Sequence, residues 1–119
     1  MIQIRNLTKT YKTKEIETPV LRGIDLDVRQ GEFLGIMGKS GAGKSTLMYQ
    51  IGLLDHPTSG EIVLNNTNTE AMTTEERTHM RLTELGYVFQ DYALIPELTA
   101  AENVMIPLLT QLVINIPFL

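Results

Sequence analysis

Gly38-Lys39-Ser40-Gly41-Ala42-Gly43-Lys44-Ser45, followed by Thr46, fits the pattern G-x-x-x-x-G-K-[ST] without a mismatch. The pattern describes a loop whose backbone cradles the phosphates of a nucleoside triphosphate. Glycines at 38, 41 and 43 let the chain take conformations closed to other residues and come close to an anion. Successive backbone N–H groups of Lys39, Ser40, Ala42 and their neighbours then point inward, and the positive end of a following helix dipole adds to them. Lys44 brings an ammonium to the β- and γ-phosphates, and the Ser45 hydroxyl suits a magnesium ion.

The surroundings match this reading. Phe33-Leu34-Gly35-Ile36-Met37, just before the loop, is a short apolar run expected to form a buried parallel strand. Residues 44–54 read as a helix with Leu47, Ile51 and Leu54 on one face. Strand, glycine turn, helix is the order a phosphate loop requires.

Outward from the loop, Ile2, Ile4 and Leu7 predict an edge strand, and a polar turn follows around Lys12 to Glu15. Ile24-Asp25-Leu26-Asp27-Val28 alternates apolar and acidic residues, as a half-exposed antiparallel strand does. Pro57-Thr58-Ser59-Gly60 predicts a turn, Glu61-Ile62-Val63-Leu64 a short strand and Gly86-Tyr87-Val88-Phe89 a second buried strand. Thr73 with Glu76, and Thr99 with Glu102, have capping-box spacing and open two helices. The first is expected to run to about Leu85; Pro107 is expected to interrupt or end the second.

The 119 residues, 43% of them hydrophobic, suffice for one modest core. A net charge of −4 argues against a nucleic-acid surface, and the absence of cysteine excludes disulfides and thiolate metal sites. Residues 104–119 are apolar but short for a membrane span and interrupted by Pro107, Gln111, Asn115 and Pro117, so no membrane span is expected. His56 and His79 have no second ligand at metal spacing and read as surface residues. Met37, Met48, Met80 and Met105 are expected to fill gaps in a core or interface.

In small GTPases and nucleotide kinases the loop follows the first strand, whereas here more than 30 residues of β-patterned sequence precede it. That arrangement, with several further segments, resembles the nucleotide-binding domain of ABC transporters. Leu7-Thr8-Lys9-Thr10-Tyr11 is similar to the family segment whose aromatic residue stacks on adenine. Val20-Leu21-Arg22-Gly23-Ile24, Gly31-Glu32-Phe33 and Leu54-Asp55 followed by Pro57-Thr58-Ser59-Gly60-Glu61-Ile62 are similar to the segments flanking the loop. Gly86-Tyr87-Val88-Phe89-Gln90 resembles the Q-loop. Leu98-Thr99-Ala100-Ala101-Glu102-Asn103-Val104 looks most like the subgroup serving lipoprotein release and macrolide or antimicrobial-peptide export.

The resemblance implies an α/β fold of the ABC phosphate-loop type, with an N-terminal β-subdomain and the start of a RecA-like core. It implies ATP and Mg2+ as cofactors. Tyr11 and the loop Gly38, Lys39, Ser40, Gly41, Ala42, Gly43, Lys44, Ser45 and Thr46 would bind the nucleotide, Lys39 through its backbone alone. Ser45 and Gln90 would reach the metal. It also implies a transmembrane permease subunit and a second nucleotide-binding domain as partners, and a place on the cytoplasmic, inner face of the cell membrane.

The family's signature motif, magnesium-binding aspartate, catalytic glutamate and switch histidine have no counterpart among these residues, so no catalytic residue is assigned. The expectation is therefore an N-terminal part of such a domain over residues 1–109, with a divergent apolar tail over 110–119 and negligible hydrolysis by this chain alone. The alternatives are a non-catalytic nucleotide-binding fragment and a defunct frameshifted product.

Overall fold

The computed structural model describes residues 1–114, without the side chains of 111–114. Two compact units divide between Arg77 and Thr78. The first is built on an antiparallel sheet. Strand β1 (Ile2–Lys12) pairs with β2 (Glu17–Val28) on one side and with β3 (Ser59–Leu64) on the other, and β3 pairs with the short β4 (Thr67–Asn68). The order among the described residues is β2-β1-β3-β4, so β1 is an inner strand and not the edge that its sequence suggested. Its period-two pattern is what one half-buried face requires, and an inner strand shows the same pattern as an edge strand.

The core follows from that alternation. Ile4 faces Leu26 on one neighbour and Ile62 on the other, and Ile2 faces Leu64. Ile4, Leu7, Leu21, Ile62 and Leu64 are buried, together with Leu47 and Leu53. β1 bulges between Arg5 and Thr8, where Asn6 is left-handed (φ 45°) and its N–H donates to Asp25 Oδ1 at 2.8 Å. Gly60 lies against this bulge: at φ +96°, a Cβ there would stand 2.5 Å from the Asn6 carbonyl oxygen and 2.6 Å from Leu7 Cα. Only glycine permits β3 so close an approach. The β3–β4 hairpin turns on Asn65 and Asn66, both left-handed (φ 46° and 67°). Two-residue hairpin loops demand that conformation, and asparagine tolerates it.

Helix α1 (Lys44–Ile51) stops short of its expected end, with Gly52 as C-cap and Leu53 left-handed (φ 56°). That turn sends Leu53 into the core and leaves Leu54 exposed, so the inward face is Leu47, Gln50 and Leu53, not Leu54. Helix α2 (Thr74–Thr83) begins with the expected capping box: Thr73 N–H donates to Glu76 Oε2 at 2.7 Å and Glu76 N–H to Thr73 Oγ1 at 3.2 Å.

The two apolar runs expected as buried strands are not strands. Phe33 and Met37 are 99% and 94% exposed, and Val88 is 96% exposed. A parallel strand exists only through the hydrogen-bonding neighbours that take up its N–H and C=O groups. Among the described residues the sheet lays no strand beside 33–37 or 86–89. Without a layer beside it, Met37 fills no gap; Met48 and Met105 are likewise exposed.

In the second unit, helix α3 (Ala100–Ile114) also opens on a capping box, with Thr99 N–H and Oγ1 both donating to Glu102 Oε2 at 2.8 and 2.7 Å. These bonds hold the Glu102 carboxyl below its ordinary pKa. Pro107 neither ends nor interrupts α3. Its ring removes one N–H from the helical ladder, and the helix runs on to Ile114. Asn103, four residues before it, donates through Nδ2 to Ile95, Leu98 and Thr99 carbonyls and accepts from Ile95 N–H at 2.8 Å, which anchors the first turn to the preceding loop.

Candidate functional site

The loop ahead of α1 has the local geometry its sequence calls for. Gly41 and Gly43 have φ of +77° and +90°. Ala42 N–H closes a turn onto the Lys39 carbonyl at 3.2 Å, and Leu47 N–H donates to the Gly43 carbonyl at 2.8 Å as the first bond of α1. Gly43 is the N-cap and has no side chain to occupy the first-turn donors. The N–H groups of Lys44, Ser45 and Thr46 therefore point out of the helix start, where an anion binds best.

Lys44 folds back over the loop. Its Nζ donates to the Gly38 and Lys39 carbonyls, both at 2.8 Å. An ammonium has three donors, so one remains for a phosphate oxygen. Lys39 enters the site through its carbonyl, and its side chain is exposed. Ser45 is exposed at the first turn. The carbonyl-braced ammonium, the free helix start and the glycine backbone together fit a polyphosphate.

Strand β2 ties this loop to Tyr11. Tyr11 stands opposite Thr18, and Val20 and Leu21 lie under Gly43, where an added Cβ would meet Leu21 Cδ2 at 3.0 Å and Val20 Cγ1 at 3.1 Å. Thr18 to Leu21 is about 10 Å of strand. Tyr11 is 41% exposed, so its ring offers surface to a planar ligand while β1 fixes its backbone.

Beneath Tyr11 lies a polar cluster. The Asp55 carboxylate accepts from Lys9 Nζ at 2.8 Å, His56 N–H at 2.7 Å, Gln50 Nε2 at 3.1 Å and Tyr11 Oη at 3.2 Å. Burial pushes the Asp55 carboxyl upward. The Lys9 hydrogen bond and charge, the His56 N–H and the Tyr11 hydroxyl outweigh it and hold the group below its ordinary value. Arg77, 4% exposed, donates to the Asp55 and Thr69 carbonyls and so closes the cluster from α2.

Sequence reasoning singled out Tyr11 and the loop, which lie in one unit. It quoted Lys9 and Asp55 only within family-like segments, without a role, and did not single out Gln50. The period-two run Leu7, Lys9, Tyr11 marks one face of a strand, but nothing local signals a partner 46 residues away. Gln90 belongs to the second unit, exposed in a turn that leads to the left-handed pair Tyr92 (φ 58°) and Ala93 (φ 53°). His56 and His79 are exposed, and no cluster of three or more His, Cys, Asp or Glu side chains suits a metal among the described residues.

An antiparallel sheet, a glycine loop and a helix springing from it define an α/β phosphate-loop protein. The family model described as "ABC transporter" matches residues 21–116, and the chain belongs to that family. It is 47% identical over 109 residues to the uncharacterized ABC transporter ATP-binding protein MJ0796 of Methanocaldococcus jannaschii, covering 92% of this chain and 46% of that one. A lipoprotein-releasing system ATP-binding protein, LolD, of Xanthomonas campestris pv. campestris is also 47% identical over 109 residues, with the same coverages. The macrolide export ATP-binding/permease protein MacB of Syntrophobacter fumaroxidans is 44% identical over 91% of this chain and 15% of its own. Among solved structures, the dimeric post-hydrolysis MJ0796 cassette bound to ADP and Pi superposes with a TM-score of 0.88 at 45% identity, over 93% of this chain and 48% of that one. The chain spans about half the length of LolD and MJ0796.

Proposed function

We propose that this chain is the ATP-binding part of an ABC transporter ATPase of the lipoprotein-release and macrolide-export type. The observation that carries the reading is Lys44 Nζ braced by the Gly38 and Lys39 carbonyls at 2.8 Å, beside an uncapped helix start. In this reading the backbone N–H groups from Lys39 to Thr46 hold the β- and γ-phosphates. Lys44 neutralises them, Ser45 holds Mg2+, and Tyr11 stacks on the base. Bound Mg2+ supplies charge neutralisation at the phosphates. The similarity to LolD, MacB and the dimeric MJ0796 cassette supports a membrane permease and a second nucleotide-binding domain as partners. It also supports a position at the cytoplasmic face of the membrane. No helix among the described residues is long and apolar enough to cross it.

Residues 1–109 are read as the nucleotide-binding part. The test is titration of the chain with a fluorescent ATP analogue beside Lys44→Ala. Saturable binding that Lys44→Ala weakens by about tenfold or more, the size of one or two lost charge-assisted hydrogen bonds, supports the reading. Equal binding in the two proteins contradicts it.

A further inference from the structure

The cluster under Tyr11 has a consequence for nucleotide selection. Lys9 and Tyr11 are two apart on β1, across a register shift between Lys9 and Thr10, and their side chains meet. Lys9 Nζ lies 5.0 Å from the Tyr11 ring centroid, over one face of the ring. The same ammonium is fixed by the Asp55 carboxylate at 2.8 Å and by the His56 carbonyl. Asp55 also takes the Tyr11 hydroxyl, at 3.2 Å. The ring is thus held at its edge and covered on one face, which leaves the other for a ligand.

Asp55 is also joined to the phosphate-loop helix. It follows the end of α1 by four residues and accepts from Gln50, a fully buried residue of that helix, at 3.1 Å. One carboxylate therefore connects the stacking surface to the element that carries the phosphate cradle.

We propose that Lys9 and Asp55 are positioning residues that fix which face of Tyr11 receives the base and how far that face stands from the phosphate loop. The inference rests on the reading of Tyr11 as the base platform. It makes the site select a ligand that carries a base and a polyphosphate at once. Tripolyphosphate, which reaches only the loop, is indifferent to the cluster.

The experiment compares ATP with inorganic tripolyphosphate as competitors of a fluorescent ATP analogue on the full chain, for wild type, Tyr11→Phe, Asp55→Asn, the double variant of these two, and Tyr11→Ala. Tyr11→Phe keeps the ring and loses only the exposed hydroxyl, so it preserves the fold if Asp55→Asn does not. We expect Tyr11→Phe and Asp55→Asn each to weaken ATP about fivefold, the effect of one lost hydrogen bond, with tripolyphosphate unchanged. The double variant should lose little more than either single one, because the two share a bond. Tyr11→Ala should weaken ATP by about tenfold or more. If Tyr11→Ala weakens ATP while Tyr11→Phe and Asp55→Asn leave it unchanged, the positioning role is overturned and the platform stands. If Tyr11→Ala leaves ATP unchanged, the platform itself fails, and the inference with it. Equal losses of ATP and tripolyphosphate in Tyr11→Phe and Asp55→Asn also overturn it, since the cluster then only supports the fold.

Discussion

Replacing Gly43 by alanine perturbs the loop at its tightest point, and the structure allows the cost to be worked out. Gly43 sits at φ 90° and ψ 8° at the N-cap of α1. An L-residue held there costs about 1–2 kcal/mol from backbone sterics alone. The new Cβ would also stand 3.0 Å from Leu21 Cδ2, 3.1 Å from Val20 Cγ1 and 3.3 Å from the Val20 carbonyl oxygen. The carbonyl belongs to the paired strand β2 and cannot step aside without disturbing the sheet. Crowding adds about 1 kcal/mol, the low end of overpacking costs. The sum, about 2–3 kcal/mol, weakens ATP by about 30-fold or more if it falls on the binding-competent loop.

Gly41→Ala is the matched control, because Gly41 has φ +77° but nothing within 4 Å of an added Cβ. It carries only the backbone term, about 1–2 kcal/mol. Titrating both variants with a fluorescent ATP analogue, alongside urea unfolding to separate folding from binding, reads the difference. An effect of Gly43→Ala equal to or smaller than that of Gly41→Ala would refute the claim that β2 props the loop from below.

Other outcomes follow from the same geometry. Asp55 has its folded pKa below the ordinary 3.8, so the stability it contributes is full above that value and is lost as pH falls through the folded one. The urea midpoint of wild type should exceed that of Asp55→Asn at pH 7, and the gap should narrow only below about pH 4; a gap constant to pH 2 would speak against the ion pair with Lys9. Gly60→Ala, whose Cβ would meet the β1 backbone at 2.5 Å, should cost more than the roughly 1–3 kcal/mol of backbone strain alone, read as a fall in urea midpoint. Pro107→Ala restores a helical N–H in α3 and should raise amide protection near the middle of that helix; unchanged exchange would mean that the proline costs the helix nothing.

What the sequence disclosed and what it hid divide along the range of the interactions. The loop and the helix starts are legible because their causes are local, whereas the turn expected over 57–60 gives way to β3, which already begins at Ser59. The glycines at 41 and 43, Thr73 with Glu76, and Thr99 with Glu102 each act within a few residues. Asn65-Asn66 carries an equally local hairpin signal, two adjacent asparagines that tolerate the left-handed conformation. Residues 33–37 and 86–89 mislead because an apolar run records what could be buried, whereas a parallel strand needs a neighbouring strand, and the sheet of the described residues lays none beside them. The link of Lys9 to Asp55 joins positions 46 apart through a polar cluster with no periodicity, so no pattern could announce it. Pro107 suggests a stop, but one lost hydrogen bond does not end α3, which runs from Ala100 to Ile114.

The central claim is that residues 38–46 grip the β-phosphate and the phosphate beyond it. Calorimetric titration of the full chain with ATP, ADP and AMP in magnesium buffer tests it most directly. The account predicts that ATP and ADP bind more than about tenfold tighter than AMP, which lacks the phosphates that Lys44 and the helix start would hold, and that Lys44→Ala removes most of that preference. AMP binding as tightly as ATP, or a preference that survives Lys44→Ala, would contradict it.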